Sequence, residues 1–263
     1  MKYNLNIKEG GFMKAYVYSF KEEPWNDDCR LAVEGFKKLN IPYTLFSTNE
    51  ELNKANKKDI IVGGLLITTS RLLDLGIKTP NINYPHELLK YTERKIWEST
   101  LKDLYKQKTP FFIKPLDEKL IQAKVINKIE DLDEYTVLDA DTRFICSEVV
   151  EFVSEYRCFI RYNRLFDVRI YKGNIKDTID LDVVYKAIND YKTSPKAYVL
   201  DFGLTSDGRT ILIEFNDGFS LGAYGMDCEK YACFLITRWS ELVGSDDPMD
   251  YKYPLSSKCE TMK

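Results

Sequence analysis

Two rhythms of apolar and polar positions divide the chain. Over residues 13–91, short apolar runs alternate with stretches in which apolar residues recur every three or four positions. Residues 14–20, 43–47 and 59–63 predict strands, and residues 27–39 predict an amphipathic helix. A second helix runs on from there to about Asp74, with a break at Gly76. Strand and helix taking turns in this way predict a small α/β unit with parallel strands. Residues 88–105 carry apolar side chains at helical spacing with charges between them and predict a single helix, with a domain boundary near Tyr91.

Residues 92–245 are richer in strands. Residues 110–115, 123–129 and 144–152 predict three of them, and 157–162 with 165–171 predict a hairpin turning at Tyr162, Asn163 and Arg164. A helix over 181–192 follows, then two strands joined by a Ser-Asp-Gly turn, then a last helix over about 229–243. Residues 1–12 predict a flexible leader and residues 246–263 a polar tail.

The two strands around the Ser-Asp-Gly turn carry carboxylates where a strand interior is normally apolar. Alternation places Ile211, Ile213 and Phe215 on one face, and Leu212, Glu214 and Asn216 on the other. Asp201 shares the face of Val199. Pairing through residues 205–209 brings Asp201 beside Glu214 and Asn216, a hard oxygen set suited to Mg²⁺. The alternative is a hairpin whose carboxylates simply face solvent. A glycine-containing polar loop, residues 216–222, follows directly, and there backbone can approach a ligand closely. In and just beyond it, Asp217, Ser220 and Tyr224 are candidate substrate contacts.

Composition narrows the classes. With 44% hydrophobic and 30% charged residues over 263 positions, the chain is of ordinary globular type. A formal charge of −3 lacks the basic excess of a general nucleic-acid binder, and no nucleic-acid partner is expected. No apolar run approaches the ~20 residues that cross a bilayer, and residues 1–12 lack the apolar core of a signal peptide. A cytoplasmic protein without a membrane partner is therefore expected. Six cysteines (Cys29, Cys146, Cys158, Cys228, Cys233 and Cys259) show no CxxC spacing and fit buried thiols in a reducing compartment. The single histidine, His86, follows Pro85 at a predicted helix start, which argues against a His-rich metal site or a histidine base.

Other charged groups recur in strand patterns. Lys114 sits in an apolar strand between prolines, where it either snorkels to the surface or faces a ligand such as a nucleotide phosphate. Lys119 and Lys124 add charge nearby, or form a solvated run. The segment Glu148-Val149-Val150-Glu151 offers backbone donors and acceptors between apolar walls. Alternation puts Glu155, Arg157, Phe159 and Arg161 on one face, opposite Tyr156, Cys158 and Ile160. On the next strand, Asp167, Arg169 and Tyr171 group together, so Arg157 and Arg169 lie on adjacent strands. Such a pair suits bidentate recognition of phosphate or carboxylate; the alternative is ion pairing with Glu155 and Asp167.

Taken in order, these segments resemble the ATP-grasp superfamily. The likeness rests on Phe111-Phe-Ile-Lys114-Pro, Glu148-Val-Val-Glu151, Glu155-x-Arg157-x-Phe159, Arg169, Asp201 in LDFGLT, and Glu214-Phe-Asn216. It spans roughly residues 92–240, and the wording of residues 201–225 is similar to a compact bacterial and phage clade of predicted peptide ligases. The resemblance implies two α/β lobes preceded by a small α/β domain, with ATP and Mg²⁺ as cofactors. It implies that Lys114 contacts the phosphates, that Glu148 and the Val149–Val150 backbone meet the adenine, and that Glu151 or Glu155 reaches the ribose. Arg157 and Arg169 then face the transferring phosphoryl group or a carboxylate, and Asp201, Glu214 and Asn216 hold the metal. The implied reaction joins a carboxylate to an amine through an acyl phosphate, on small-molecule, peptide or protein substrates. A phosphotransferase, or a nucleotide-binding module without catalysis, would use the same site. One departure stands out: residues 116–124 contain none of the glycines common in the family's phosphate loop.

Overall fold

The computed structural model describes residues 13–79, 84–116 and 122–253. The predicted leader, Lys119, Cys259 and most of the predicted tail lie outside the described residues.

The N-terminal unit forms because three short, β-branched or aromatic runs are each too apolar to remain in solvent. Strand β1 (Ala15–Phe20) is central, with β2 (Glu23–Pro24) folding back antiparallel at its end. Helix α1 (Asp27–Lys38) starts where the Asn26 side chain accepts the Cys29 amide hydrogen. Strands β3 (Tyr43–Phe46) and β4 (Ile60–Val62) flank β1 in parallel. Between them a single turn, α2 (Asn49–Leu52), is held by a capping box of Thr48 and Glu51. Helix α3 (Gly64–Asp74) follows β4 directly.

Residues 88–105 are not one helix. A 3₁₀ helix over His86–Thr92 ends at Glu93 in the left-handed region, then β5 (Ile96–Thr100) and a short α4 (Leu101–Leu104) follow. The apolar spacing fits a helix, but Ile96, Trp97 and Thr100 are strand formers with a partner strand waiting elsewhere in the chain. β6 (Phe111–Pro115), β7 (Lys124–Ile126) and β8 (Arg143–Ser147) complete an antiparallel sheet in the order β5-β8-β6-β7. Its core includes Leu104, Phe111, Ile113, Phe144 and Cys146. The strand expected over 144–152 stops at Ser147, because residues 149–151 have no neighbouring strand.

The second lobe is the sheet β10-β9-β11-β12, antiparallel throughout, built from β9 (Ser154–Arg161), β10 (Arg164–Lys172), β11 (Ala197–Leu204) and β12 (Thr210–Asp217). The β9–β10 hairpin turns at Tyr162 and Asn163, both at positive φ, as a tight hairpin requires. One face of the sheet carries Tyr156, Cys158, Ile160, Leu200 and Phe202 against α5 (Leu181–Asp190). The opposite face packs at one end on α6 (Cys228–Val243), where the Phe159 and Phe234 rings meet edge to face at 5.3 Å. The other end of that face is left for polar side chains.

Strict alternation fails at one position in β12. Asp201 pairs with Glu214, but Phe202 pairs with Leu212, so Ile213 is an extra, bulged residue. Leu212 therefore joins Phe215 on the α5 face, and does not share the face of Glu214 and Asn216 as alternation predicts.

Candidate active site

Within β6, Phe111, Ile113 and Pro115 are buried, which sends Phe112 and Lys114 to the opposite face, toward the second sheet. There Lys114 Nζ lies 2.7 Å from Oε2 of Glu214, and each side chain keeps about a third of its exposure. The lysine does not snorkel away; it bridges the two lobes.

Behind that bridge the other carboxylate is fully enclosed. Arg157 Nε and Nη2 donate to Oδ1 and Oδ2 of Asp201 at 2.9 and 2.7 Å, and Asp201 is 1% exposed. The Asn216 amide nitrogen donates to Glu214 Oε1 at 2.9 Å and to Asp201 Oδ2 at 3.2 Å, tying the acids together. Burial lifts the Asp201 carboxyl to about 6 in spite of Arg157. Burial also pushes Glu214 upward, but the Lys114 ammonium overrides it and leaves Glu214 below the usual carboxylate range. For Lys114 burial acts downward and Glu214 upward, and the net is a raised value. The pairs are thus held as ions at neutral pH.

This donor set fits a hard cation. An ionised carboxylate offers about four acceptor positions. Arg157 and Asn216 take three at Asp201, while Lys114 and Asn216 take two at Glu214. The remaining carboxylate positions and Asn216 Oδ1 are oxygens of the type Mg²⁺ prefers, and Mg²⁺ commonly binds one or two carboxylates with phosphates and water completing its shell. Among the described residues no cluster of three or more His, Cys, Asp or Glu side chains is placed to hold a metal. Any metal here would rely on this smaller set.

Arg157 is also walled by aromatic rings. The Tyr224 ring centre lies 4.5 Å from its guanidinium carbon and that of Tyr171 5.8 Å. Arg169 stands directly opposite Arg157 in the β9–β10 register. Its Nη2 donates to Asp167 at 2.8 Å, the ion-pair alternative, while its Nε is buried with no partner among the described residues. Glu155 does not pair with Arg157; it takes Lys172.

Between the sheets lies a pocket of about 730 Å³, within the range of small-molecule and cofactor sites. Lys114, Glu148, Val149, Val150, Glu151, Glu155 and Glu214 all line it, with Phe112, Phe152 and Lys172. Residues 149–151 line the pocket and make no backbone–backbone hydrogen bond among the described residues, which leaves their N–H and C=O groups without a backbone partner.

Three anticipated residues are elsewhere. Lys124 points out of the pocket and pairs with Glu134 at 2.8 Å, because Ile113, its register partner, faces the core. Asp217 is 3% exposed and is gripped by Arg238 of α6, so it anchors the helix and is no substrate contact. Ser220 lines a separate, smaller pocket beside the N-terminal unit.

Sequence reasoning missed Arg94 and Tyr84. Arg94 Nη1 donates to the Leu212 carbonyl at 2.8 Å and Nη2 to the Ile213 carbonyl at 2.9 Å; the Tyr84 hydroxyl donates to Ile213 as well. Together they satisfy the carbonyls exposed by the β12 bulge. These partners are more than a hundred residues apart, and no local pattern announces them.

Two antiparallel lobes closing on a lysine–glutamate bridge, with a small parallel α/β unit before them, define the ATP-grasp fold. Residues 91–234 match the family model of the ATP-grasp domain, R2K clade family 2, over more than half of the chain, and the chain belongs to that family. No curated protein sequence matches. Among solved structures, D-alanine–D-alanine ligase from Bacillus anthracis complexed with ATP superposes with a TM-score of 0.53 at 15% identity, covering 89% of this chain and 99% of that one. A RimK domain ATP-grasp protein from Sphaerobacter thermophilus gives 0.55 at 12%, covering 84% and 98%. Macrocyclase MdnC from Microcystis aeruginosa, bound to its precursor peptide MdnA, gives 0.50 at 12%, covering 85% and 99%. At these identities the likeness is one of fold.

Proposed function

We propose that the protein is an ATP-dependent carboxylate–amine ligase that acts through an acyl phosphate. The observation that carries the reading is the Lys114–Glu214 contact, which brings a phosphate-type cation and a metal-type acid, 100 residues apart, to one point beside a nucleotide-sized pocket. In this reading the free backbone of residues 149–151 recognises the adenine edge, Glu151 or Glu155 the ribose, and Lys114 the terminal phosphates. Glu214, Asn216 and Asp201 would hold Mg²⁺, which neutralises phosphate charge. Arg157 lies beyond the metal set on the same face, and it stabilises the charge that builds on the transferring phosphoryl group. Arg169, opposite and about a third exposed, offers its guanidinium to the acceptor carboxylate. ADP leaves, and an amine displaces phosphate from the acyl phosphate to give the amide. The ligases of like fold, one on D-alanine and one bound to a precursor peptide, favour a carboxylate acceptor.

The test is a product assay with Mg-ATP and a pool of amino acids and short peptides. ADP, phosphate and a new amide, all absent with Glu214→Ala, support the reading. AMP with pyrophosphate, or a stable phosphorylated acceptor without amide, contradicts it.

A further inference from the structure

The two sheets are joined across the cleft at two points of different chemistry. Arg94, just ahead of β5, donates to the Leu212 and Ile213 carbonyls of β12. Its remaining partners among the described residues are the Thr92 carbonyl and the Tyr84 hydroxyl. A ligand that seeks the site's carboxylates therefore leaves this joint intact. The second joint is the ion pair from Lys114 of β6 to Glu214 of β12, at 2.7 Å. It is made of the two groups that a phosphate and a metal ion would each draw on.

That pair also closes the acid set. Glu214 Oε2 accepts from the Lys114 ammonium and Oε1 from the Asn216 amide. Asp201 Oδ1 accepts from Arg157, and Oδ2 from Arg157 and Asn216. Every oxygen of the two carboxylates thus carries a donor already. Arg157 and Asn216 belong to the same sheet as the acids, and the Arg157 side chain is only 10% exposed. Lys114 alone comes from the other lobe, and its side chain is 35% exposed to the pocket that both partners line. It is the donor free to leave. A divalent cation sits about 2.0–2.5 Å from its carboxylate oxygens, so on Glu214 it would repel an ammonium held this close.

We propose that Lys114 is a latch across the cleft: it blocks the metal acid until a nucleotide phosphate draws it away, so that phosphate and divalent cation strengthen each other's binding. By linkage the effect is reciprocal. The proposal rests on the nucleotide and metal part of the ligase reading and is independent of amide formation.

The experiment is a titration of the full chain with Mn²⁺ alone, followed by the paramagnetic resonance signal of the unbound ion. A neighbouring charge at this range changes a carboxylate's affinity for a proton by about 10–1,000-fold, and a divalent cation feels it no less. Lys114→Met keeps the length of the side chain and removes the ammonium, and it binds Mn²⁺ at least about tenfold tighter than the unchanged protein. Loss of any cation favours a cation, so Lys172→Met is the control. Lys172 lines the same pocket but pairs with Glu155, and its loss changes Mn²⁺ affinity by less than about threefold. The gain from Lys114→Met also shrinks below about threefold when Glu214 is replaced by glutamine, because the latch acts through that acid. Lys114→Met within threefold of the unchanged protein, matched by Lys172→Met, or undiminished in the Glu214→Gln background overturns the latch. A second titration, with a non-hydrolysable ATP analogue present, separates the two failures. Loss of Mn²⁺ binding there in Glu214→Gln leaves the metal reading standing even if the latch falls. Mn²⁺ binding unaffected by Glu214→Gln removes the metal reading and the latch with it.

Discussion

Asp201 and Arg157 form the more deeply buried of the site's two ion pairs, with side chains 1% and 10% exposed against 29% and 35% for Glu214 and Lys114. From sequence both acids of the metal set face a cleft, so alanine at Asp201 would be expected to spare the fold. The structure reverses that expectation: Asp201 is 1% exposed and its removal strands the Arg157 guanidinium between Tyr171 and Tyr224. Either Asp201→Ala or Arg157→Ala alone should cost about 3–5 kcal/mol in urea unfolding, while Glu214→Ala, on the rim, costs under about 1 kcal/mol. Removing both partners with an apolar pair should recover much of the loss. The Asp201 carboxyl, lifted to about 6 by burial, also sets a pH dependence. Protonation removes the negative charge, so turnover falls on the acid side, below about pH 6. On stability the sign is opposite: a raised carboxyl disfavours the folded state when ionised, and that cost is relieved as pH falls from 6 toward the ordinary range near 4. A pH–rate profile with no acid limb between pH 5 and 7 would contradict the assignment of Asp201 to the working site.

At the scale of elements, the β12 bulge decides which side chains face the cleft. Without it, Leu212 would share the face of Glu214; with it, Leu212 turns to the α5 core and the carbonyls of Leu212 and Ile213 project to Arg94 and Tyr84. Arg94→Met keeps bulk and removes those donors. It should raise the Mg²⁺ needed for half-maximal turnover by about 10–100-fold, the usual effect of losing a group that orients a metal ligand, with ATP affinity within about threefold. An unchanged Mg²⁺ requirement would show that the bulge stands without its clamp. Gly203 is a second dependency, since a Cβ there would lie 2.1 Å from the Phe152 ring that lines the pocket. Gly203→Ala should displace Phe152 and cost about 1–3 kcal/mol of stability, and nucleotide binding should weaken with it, read by a nucleotide titration. Elements held by local pattern were legible from sequence, among them β1, α1, the β9–β10 hairpin and α6. Those that depend on distant partners were not. Residues 88–105 have a helical period, yet Ile96–Thr100 is drawn into a strand by β8, and residues 149–151 lose their strand for want of a neighbour.

Across the whole molecule, the N-terminal unit is not a loose appendage. Its core runs without a break into α6, and Gly35 of α1 makes this possible, because a Cβ there would stand 2.1 Å from the Cys228 carbonyl oxygen. The unit therefore presents the start of α3 to the loop that follows β12. Among the described residues no helix is long and apolar enough to cross a membrane. What the sequence made legible at this scale was the order of chemical groups: Lys114, the 148–151 segment, Arg157, Arg169, Asp201, Glu214 and Asn216 do converge. What it could not convey was which polar residues are structural, since Asp217 and Lys124 look no different in a row of letters from Glu214 and Lys114; only the helix α6 and the register of β7 separate them. The central claim is that a carboxylate takes the γ-phosphoryl group of ATP before an amine attacks. The most direct measurement is an isotope transfer with ¹⁸O-carboxylate-labelled amino acids and short peptides. An acyl phosphate route leaves one ¹⁸O in inorganic phosphate for each amide formed, with none in AMP. Label appearing in AMP, or amide formed with unlabelled phosphate, would contradict the account.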